Sequence, residues 1–148
     1  MRTVADVLAN KTQPTNIVAP QAMVIDALKM MQTQNLSYVI VMDGDEFKGI
    51  FGERNYARQV ALDGKSSSTY PVSEAMSKQL TPITPEHTVE ECIELILAGK
   101  CRYLPVFQDE HLEGVITIHD ILREALRSKE ALFDATLADR LIDEGAIY

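Results

Sequence analysis

The segment Thr117–Asp120 combines side chains suited to holding a phosphorylated sugar. Thr117 closes an apolar run and precedes a stretch of helical spacing, so its hydroxyl lies at a helix start, where free backbone N–H groups favour a phosphate. Asp120, three residues on, faces the same side, and its carboxylate can accept hydrogen bonds from two vicinal ribose hydroxyls. His119 adds a donor for phosphate. The Thr117–Asp120 pair could instead form only a helix capping box.

These residues belong to the second of two copies of one sequence pattern. Tyr38–Met42 and Tyr103–Phe107 are short apolar runs, each followed by an acidic turn and a second strand that contains Gly49 or Gly114. The spacing between the two glycines also aligns a proline and an apolar helical stripe ahead of each run. The chain therefore contains an internal sequence repeat.

The order of strand and helix patterns in each copy predicts a β-α-β-β-α unit of the α/β (α+β) class. The strand before the first helix, at Asn16–Val18 or Thr81–Ile83, reaches its partner by a crossover, which favours parallel pairing. We expect the two copies to be related by a pseudo-twofold axis. The predicted boundaries are residues 1–65 for the first copy, 66–70 for a linker, 71–128 for the second copy and 129–148 for a C-terminal helical extension.

The chain resembles a pair of CBS domains, also called a Bateman module. The resemblance is carried by Arg102–Val106 and by Gly114–Asp120, which fits the family's Gly-x-x-[Ser/Thr]-x-x-Asp nucleotide motif. Glu53–Arg58 and Gly64–Ser67 are similar to a subgroup of stand-alone modules. The resemblance implies a non-catalytic regulatory module that forms a homodimer and reports energy or redox state. It also implies an adenine nucleotide ligand: AMP is expected, with ATP, ADP, NAD or S-adenosylmethionine as alternatives, and no cofactor is required.

The resemblance further implies a nucleotide site in the cleft between the two copies. Backbone groups of residues 81–84 and 102–105 would read the adenine edge, and Ile83, Pro105 and Val115 would enclose its faces. Arg102 could reach a phosphate or form a surface salt bridge. The predicted nucleotide-binding residues are Thr81, Ile83, Thr84, Arg102, Tyr103, Pro105, Thr117, His119 and Asp120.

The first copy departs from the nucleotide motif. Gly52 and Asn55 stand where the second copy has Thr117 and Asp120, so the hydroxyl and the charge are both absent. Ribose binding there is expected to be weak, altered or lost. A nearby group of basic and hydroxyl residues could clamp phosphates, or could be a solvated linker beside a charged helix. The residues of this second candidate site are Ile17, Val18, Tyr38, Arg54, Asn55, Arg58, Lys65, Ser66 and Ser67.

Composition and missing motifs exclude several classes of function. The net charge of −8 argues against broad binding to nucleic acid or anionic membranes. No secretory signal or membrane span is visible and the two cysteines have the character of reduced thiols, which predicts a cytoplasmic protein. The three histidines lack metal-ligand spacing, so no metal site is predicted. The segment Gly64-Lys65-Ser66 is similar to the end of a P-loop but lacks the first glycine of that motif, which argues against a Walker-type ATPase.

Three hypotheses of function remain. The first is a nucleotide sensor whose conformation is read by an unknown regulated protein. The second is a protein-interaction scaffold whose nucleotide sites are vestigial, which the changes at Gly52 and Asn55 motivate. The third is a small nucleotide hydrolase, for which no pair of carboxylates is singled out by the sequence.

Overall fold

The computed structural model describes residues 2–128, so the predicted extension over 129–148 lies outside the described residues. Two compact units are present: the first unit is Pro14–Gln79, and the second unit comprises the described residues before Pro14 and after Gln79. The helices and strands are α1 Val4–Ala9, β1 Ile17–Val18, α2 Val24–Gln34, β2 Tyr38–Asp43, β3 Glu46–Gly52, α3 Glu53–Asn55, a π-helix Tyr56–Ala61, α4 Val72–Ala75, α5 Val89–Gly99, β4 Tyr103–Gln108, β5 His111–Thr117 and α6 Ile118–Ser128.

The first unit is built on the three-stranded sheet β1-β2-β3. Strand β1 is parallel to β2, with Ile17 opposite Ile40, and β2 is antiparallel to β3. Gly44 adopts a φ of 61° in the turn between β2 and β3, a backbone conformation that glycine adopts without strain. The predicted crossover and hairpin of the first copy are therefore confirmed.

The core of the first unit is formed by one face of α2 and by the sheet. Val24, Ala27 and Met31 are spaced three and four residues apart and lie together on that face. α2 ends at Asn35, which takes the left-handed conformation common at helix ends. The other buried residues of this core are Val18, Val39, Val41, Phe51, Val60, Val72 and Ala75.

The second unit repeats the hairpin in β4 and β5, with Leu104 opposite Ile116. The helix α5 begins at the cap residue Thr88, whose side chain accepts a hydrogen bond from the Glu91 N–H. Its apolar residues are buried against the hairpin. The buried core of this unit consists of Val4, Val7, Ile83, Val89, Cys92, Ile93, Ile96, Leu97, Leu104, Val106, Ile116, Ile118 and Ile121.

The strand expected over Thr81–Ile83 is shorter than the sequence suggested. Ile83 alone forms a parallel bridge, to Val106, and its N–H donates to the Pro105 carbonyl at 2.9 Å. Pro82 has no N–H and cannot extend the pairing backwards along the chain. The described sheet of this unit therefore has two strands and a single bridging residue.

The first helix of each sequence repeat packs in the compact unit that contains the hairpin of the other repeat. In the second unit, the Val4 N–H at the start of α1 donates to the His87 carbonyl at 2.8 Å. In the first unit, the Val72 N–H at the start of α4 donates to the Ala22 carbonyl at 2.7 Å. The compact units thus differ from the sequence repeats by an exchange of their first segments.

Candidate functional site

The predicted pair Thr117 and Asp120 lies where β5 passes into α6. The Thr117 N–H and hydroxyl donate to Asp120 Oδ2 at 2.8 and 3.0 Å, and the Asp120 N–H donates back to Thr117 Oγ1 at 3.2 Å. This is a reciprocal capping box, as the more conservative interpretation of the pair predicted. Both residues are buried, so the carboxylate is held rigidly at the helix start.

Two cations neutralise the Asp120 carboxylate. Lys11 Nζ donates to Oδ2 at 2.8 Å and also to the Val115 carbonyl at 2.8 Å. Arg123, one turn along α6, donates to Oδ1 at 3.3 Å from a largely exposed position. Lys11 was not predicted as a site residue, because 109 residues separate it from Asp120 and no local spacing links the two.

The residues expected to hold a base meet around the hairpin. Tyr103 pairs with Thr117 in the ladder, and Pro105 pairs with Val115. The Ile83 N–H donates to the Pro105 carbonyl, so the three residues expected to enclose adenine occupy adjacent positions across the sheet. The predicted site therefore combines buried apolar positions of the sheet with a polar helix start.

Other predicted residues of the second copy have mixed surroundings. Thr84 lies in an exposed turn, where its N–H donates to His87 Nδ1 at 3.0 Å. His119 is exposed and Thr81 is half-buried. Among the described residues, Arg102 Nε is a buried donor for which no acceptor is found. A buried donor of this kind costs free energy until an acceptor reaches it.

The first unit builds the same helix start without the hydroxyl or the charge. Gly52 pairs with Tyr38 as Thr117 pairs with Tyr103, and the Gly52 N–H donates to Asn55 Oδ1 at 2.9 Å. Asn55 Nδ2 donates to Ser77 Oγ at 2.9 Å. Asn55 thus keeps the capping function of its counterpart, with an amide in place of the carboxylate.

The basic and hydroxyl residues of the first unit are spread over a helix and a loop. Arg54 and Arg58 are exposed, and Arg58 lies in the π-helix, a feature that the sequence did not reveal. Lys65 Nζ lies 5.8 Å from the centre of the Tyr70 ring. Ser66 Oγ is 2.9 Å from Ser68 Oγ, and the Ser67 carbonyl accepts the Ile25 N–H. Of the other predicted residues, Val18 and Tyr38 are buried and Ile17 is partly exposed.

A separate groove of about 540 Å³ lies along α5 and contains none of the predicted site residues. Its lining includes three glutamates, which repel an anionic ligand. Within residues 2–128, no group of three or more histidine, cysteine, aspartate or glutamate side chains could hold a metal ion, and no helix is long and apolar enough to cross a membrane. The groove is lined by His87, Glu90, Glu91, Glu94, Leu95 and Ala98.

Comparisons with known proteins agree with this architecture. The chain is 32% identical over 105 residues to the mitochondrial CBS domain-containing protein CBSX3 of Arabidopsis thaliana, a match that covers 68% of this chain and 51% of that protein. The chain thus spans about half the length of this relative. Among solved structures, a protein with CBS domains from Burkholderia ambifaria MC40-6 superimposes with a TM-score of 0.80 at 31% identity, covering 90% of this chain and 98% of that one.

A second solved structure carries a ligand. The structure of CBSX2 in complex with AMP matches with a TM-score of 0.71 at 27% identity, over 88% of this chain and 100% of that chain. The family model for the CBS domain matches residues 4–61 and 72–127, one match for each sequence repeat. The chain therefore belongs to the CBS-domain family and contains a pair of these domains.

Proposed function

We propose that this protein is a non-catalytic regulatory module that binds an adenine nucleotide at the second unit. AMP is the first candidate ligand. The observation that carries the proposal is the buried Thr117–Asp120 pair at the start of α6, beside the sheet positions of Ile83, Pro105 and Val115. The AMP complex of the related CBSX2 supports the choice of ligand.

Each part of a nucleotide has a chemically suitable partner in this unit. Asp120 Oδ1 keeps lone-pair capacity beyond its bond to Arg123 and would accept a ribose hydroxyl. The start of α6 and the unsatisfied Arg102 Nε would hold the phosphate, with His119 as a further donor. Adenine would lie against the apolar residues of the sheet. Its edge would be read by backbone groups near Thr81 and Thr84 and by Tyr103.

The first unit is proposed as a weak or empty site. Asn55 lacks the charge that strengthens hydrogen bonds from a ribose diol, and Gly52 offers no hydroxyl. ATP, ADP, NAD and S-adenosylmethionine share the adenosine group and are alternative ligands. The wider proposal is a cytoplasmic homodimer whose nucleotide state is read by another protein, and light scattering of the purified chain tests the dimer.

The direct test is calorimetry of AMP binding to the wild type and to Asp120→Asn. This variant should fold, because Asn55 caps the equivalent helix start with its amide oxygen. Loss of charge-assisted hydrogen bonds from the diol should weaken AMP binding about tenfold or more. The matched control is Asn55→Ala in the first unit, which should bind AMP as the wild type does. Equal affinity of wild type and Asp120→Asn would disprove the site.

A ligand panel tests the chemical class independently of the site. Thermal unfolding with AMP, ADP, ATP, NAD or S-adenosylmethionine should show stabilisation that grows with ligand concentration. Mass spectrometry of any nucleotide that co-purifies would identify the ligand. No stabilisation by any member of the panel at millimolar concentration would favour the scaffold hypothesis instead.

A further inference from the structure

Lys11 occupies one of the two oxygens of the carboxylate that the proposed ligand needs. Its ammonium lies 2.8 Å from Asp120 Oδ2 and 2.8 Å from the Val115 carbonyl, between a strand residue of the predicted base site and the predicted ribose acceptor. The Asp120 side chain is 5% exposed and that of Lys11 is 26% exposed. This ion pair is therefore largely shielded from water and its screening by salt is reduced.

Among the donors to Asp120 Oδ2, those from Thr117 are less free to leave than Lys11, and Arg123 bonds the other oxygen, Oδ1. The two from Thr117 belong to the cap of α6, and their removal would expose the helix start. Oδ2 accepts three donors in all, from the Thr117 N–H, the Thr117 hydroxyl and Lys11, so it has no capacity for a further one. Lys11 is attached by a flexible four-carbon stem and can move its charge without moving the backbone.

We propose that Lys11 is a specificity-determining residue that competes with the ribose diol for Asp120. This inference rests on the proposed nucleotide site. A vicinal diol uses both carboxylate oxygens: one hydroxyl donates to Oδ1, and the other needs Oδ2, which Lys11 occupies. Binding of the second hydroxyl therefore displaces the Lys11 ammonium, which must then find another anion. The phosphate of a nucleotide supplies that anion within the same site. A nucleoside breaks the Lys11–Asp120 ion pair and has no phosphate with which the ammonium could pair.

The consequence is discrimination between ligands by charge. Lys11 penalises adenosine, because its binding leaves a partly buried ammonium without its carboxylate partner. AMP does not leave the ammonium unpaired, because an ammonium–phosphate hydrogen bond replaces the ammonium–carboxylate hydrogen bond. Removal of the ammonium should therefore strengthen adenosine binding and weaken AMP binding. The ratio of the two dissociation constants reports this effect, whereas a general change of stability alters both constants together.

The experiment measures the dissociation constants of AMP and adenosine by calorimetry for wild type and Lys11→Met. The expected result is a fall of about fivefold or more in the ratio of the adenosine constant to the AMP constant. Lys48→Met is the matched control, since Lys48 forms an ion pair with Glu46 on the surface of the first unit. It should leave the ratio unchanged. Lys11→Gln serves as a second variant that keeps a hydrogen-bond donor, and it should lower the ratio as well.

A second ligand pair isolates the diol. 2′,3′-Dideoxyadenosine cannot displace Lys11 through hydroxyls, so its affinity should not rise in Lys11→Met. An unchanged ratio of the adenosine dissociation constant to the AMP dissociation constant in both Lys11 variants would overturn the role of Lys11 while leaving the nucleotide site intact. Failure of wild type and variants to bind any of the three ligands would overturn the proposed function together with this inference. Binding of adenosine by Lys11→Met alone would support both.

Discussion

The backbone of Gly49 lies against the carbonyl oxygen of Ser77. A β-carbon at position 49 would be 2.5 Å from that oxygen, closer than non-bonded β-carbons approach other atoms in proteins. The contact exists because Ile50 and Ser77 exchange two backbone hydrogen bonds, of 3.1 and 2.8 Å, which draw the chain after α4 onto β3. The glycine of the first hairpin is therefore required by the attachment of a segment from the other sequence repeat.

Gly49→Ala should destabilise the protein much more than Gly114→Ala. A β-carbon at 49 meets a backbone oxygen that is held by hydrogen bonds, whereas at 114 it would lie 3.0 Å from the end of the Leu8 side chain, which can move. We expect a loss of about 2–3 kcal/mol in the free energy of unfolding for Gly49→Ala and below about 1 kcal/mol for Gly114→Ala. Urea denaturation measures both. Equal losses would show that the Ser77 contact is not specific.

Those two glycines also show what the sequence could reveal. Their common spacing predicted the two hairpins, and the registers that pair Tyr38 with Gly52 and Tyr103 with Thr117 confirm the repeat. Strand alternation, turns and helical stripes are local patterns, so a single sequence carries them. The repeated pattern was enough to give the fold class.

Contacts made far along the chain could not be predicted in this way. The hydrogen bond from Lys11 to Asp120 and the packing of α1 beside His87 depend on how distant segments meet. Propensity also gave no sign that the helix after Asn55 would continue as a π-helix. The sequence placed the Asp120 carboxylate at a helix start, where the structure has it, but did not reveal the cations that neutralise it.

The stability of α1 should depend on pH through Asp6. The Thr3 N–H donates to Asp6 Oδ2 at 3.0 Å, and this backbone hydrogen bond is the main cause that lowers the pKa of Asp6 below 3.8. A carboxyl whose pKa is lowered on folding stabilises the protein above its unfolded pKa, and this contribution is lost as pH falls through the folded value.

Comparison of wild type with Asp6→Asn should show this dependence directly. The variant should unfold at a slightly lower temperature than wild type at pH 7, and the gap should narrow as the pH falls below 3.8. Thermal unfolding followed by circular dichroism over this range is the measurement. A gap that stays constant with pH would mean that the charge of Asp6 does not contribute.

The buried thiol of Cys92 should make the protein less stable in alkali. Burial in the second core is the main cause that raises the pKa of Cys92 from 9.0 to about 12, and the neighbouring charges of Glu91 and Glu90 add to it. Above pH 9 the thiol ionises in the unfolded chain and stays protonated in the folded one. The stabilisation is therefore complete below pH 9 and declines as pH rises towards 12.

Cys92→Ala should remove this part of the pH dependence. Between pH 8 and pH 10 the wild type should lose about 1 kcal/mol more of its unfolding free energy than the variant, whatever the variant's stability at pH 8. Urea denaturation at several pH values gives the two slopes. Parallel slopes would show that Cys92 ionises in the folded protein as readily as in the unfolded one.

Asn55→Asp should give the first unit a second nucleotide site. The aspartate oxygen would take over the hydrogen bond from the Gly52 N–H, and Ser77 Oγ can reverse its bond and donate to the new carboxylate. A negative charge in the first turn of α3 is compatible with the helix start. The new site would carry the acceptor that Asp120 is proposed to supply in the second unit, although Gly52 would still offer no hydroxyl.

Calorimetry of AMP binding should then detect a second, weaker binding event in Asn55→Asp and only the first event in wild type. Asn55→Ala is the matched control, since it removes the amide without adding a charge, and its stoichiometry should stay that of wild type. The new event should be retained when Asp120→Asn is added, because the two acceptors lie in different units. A stoichiometry that does not change would show that a carboxylate at this position is insufficient for nucleotide binding in the first unit.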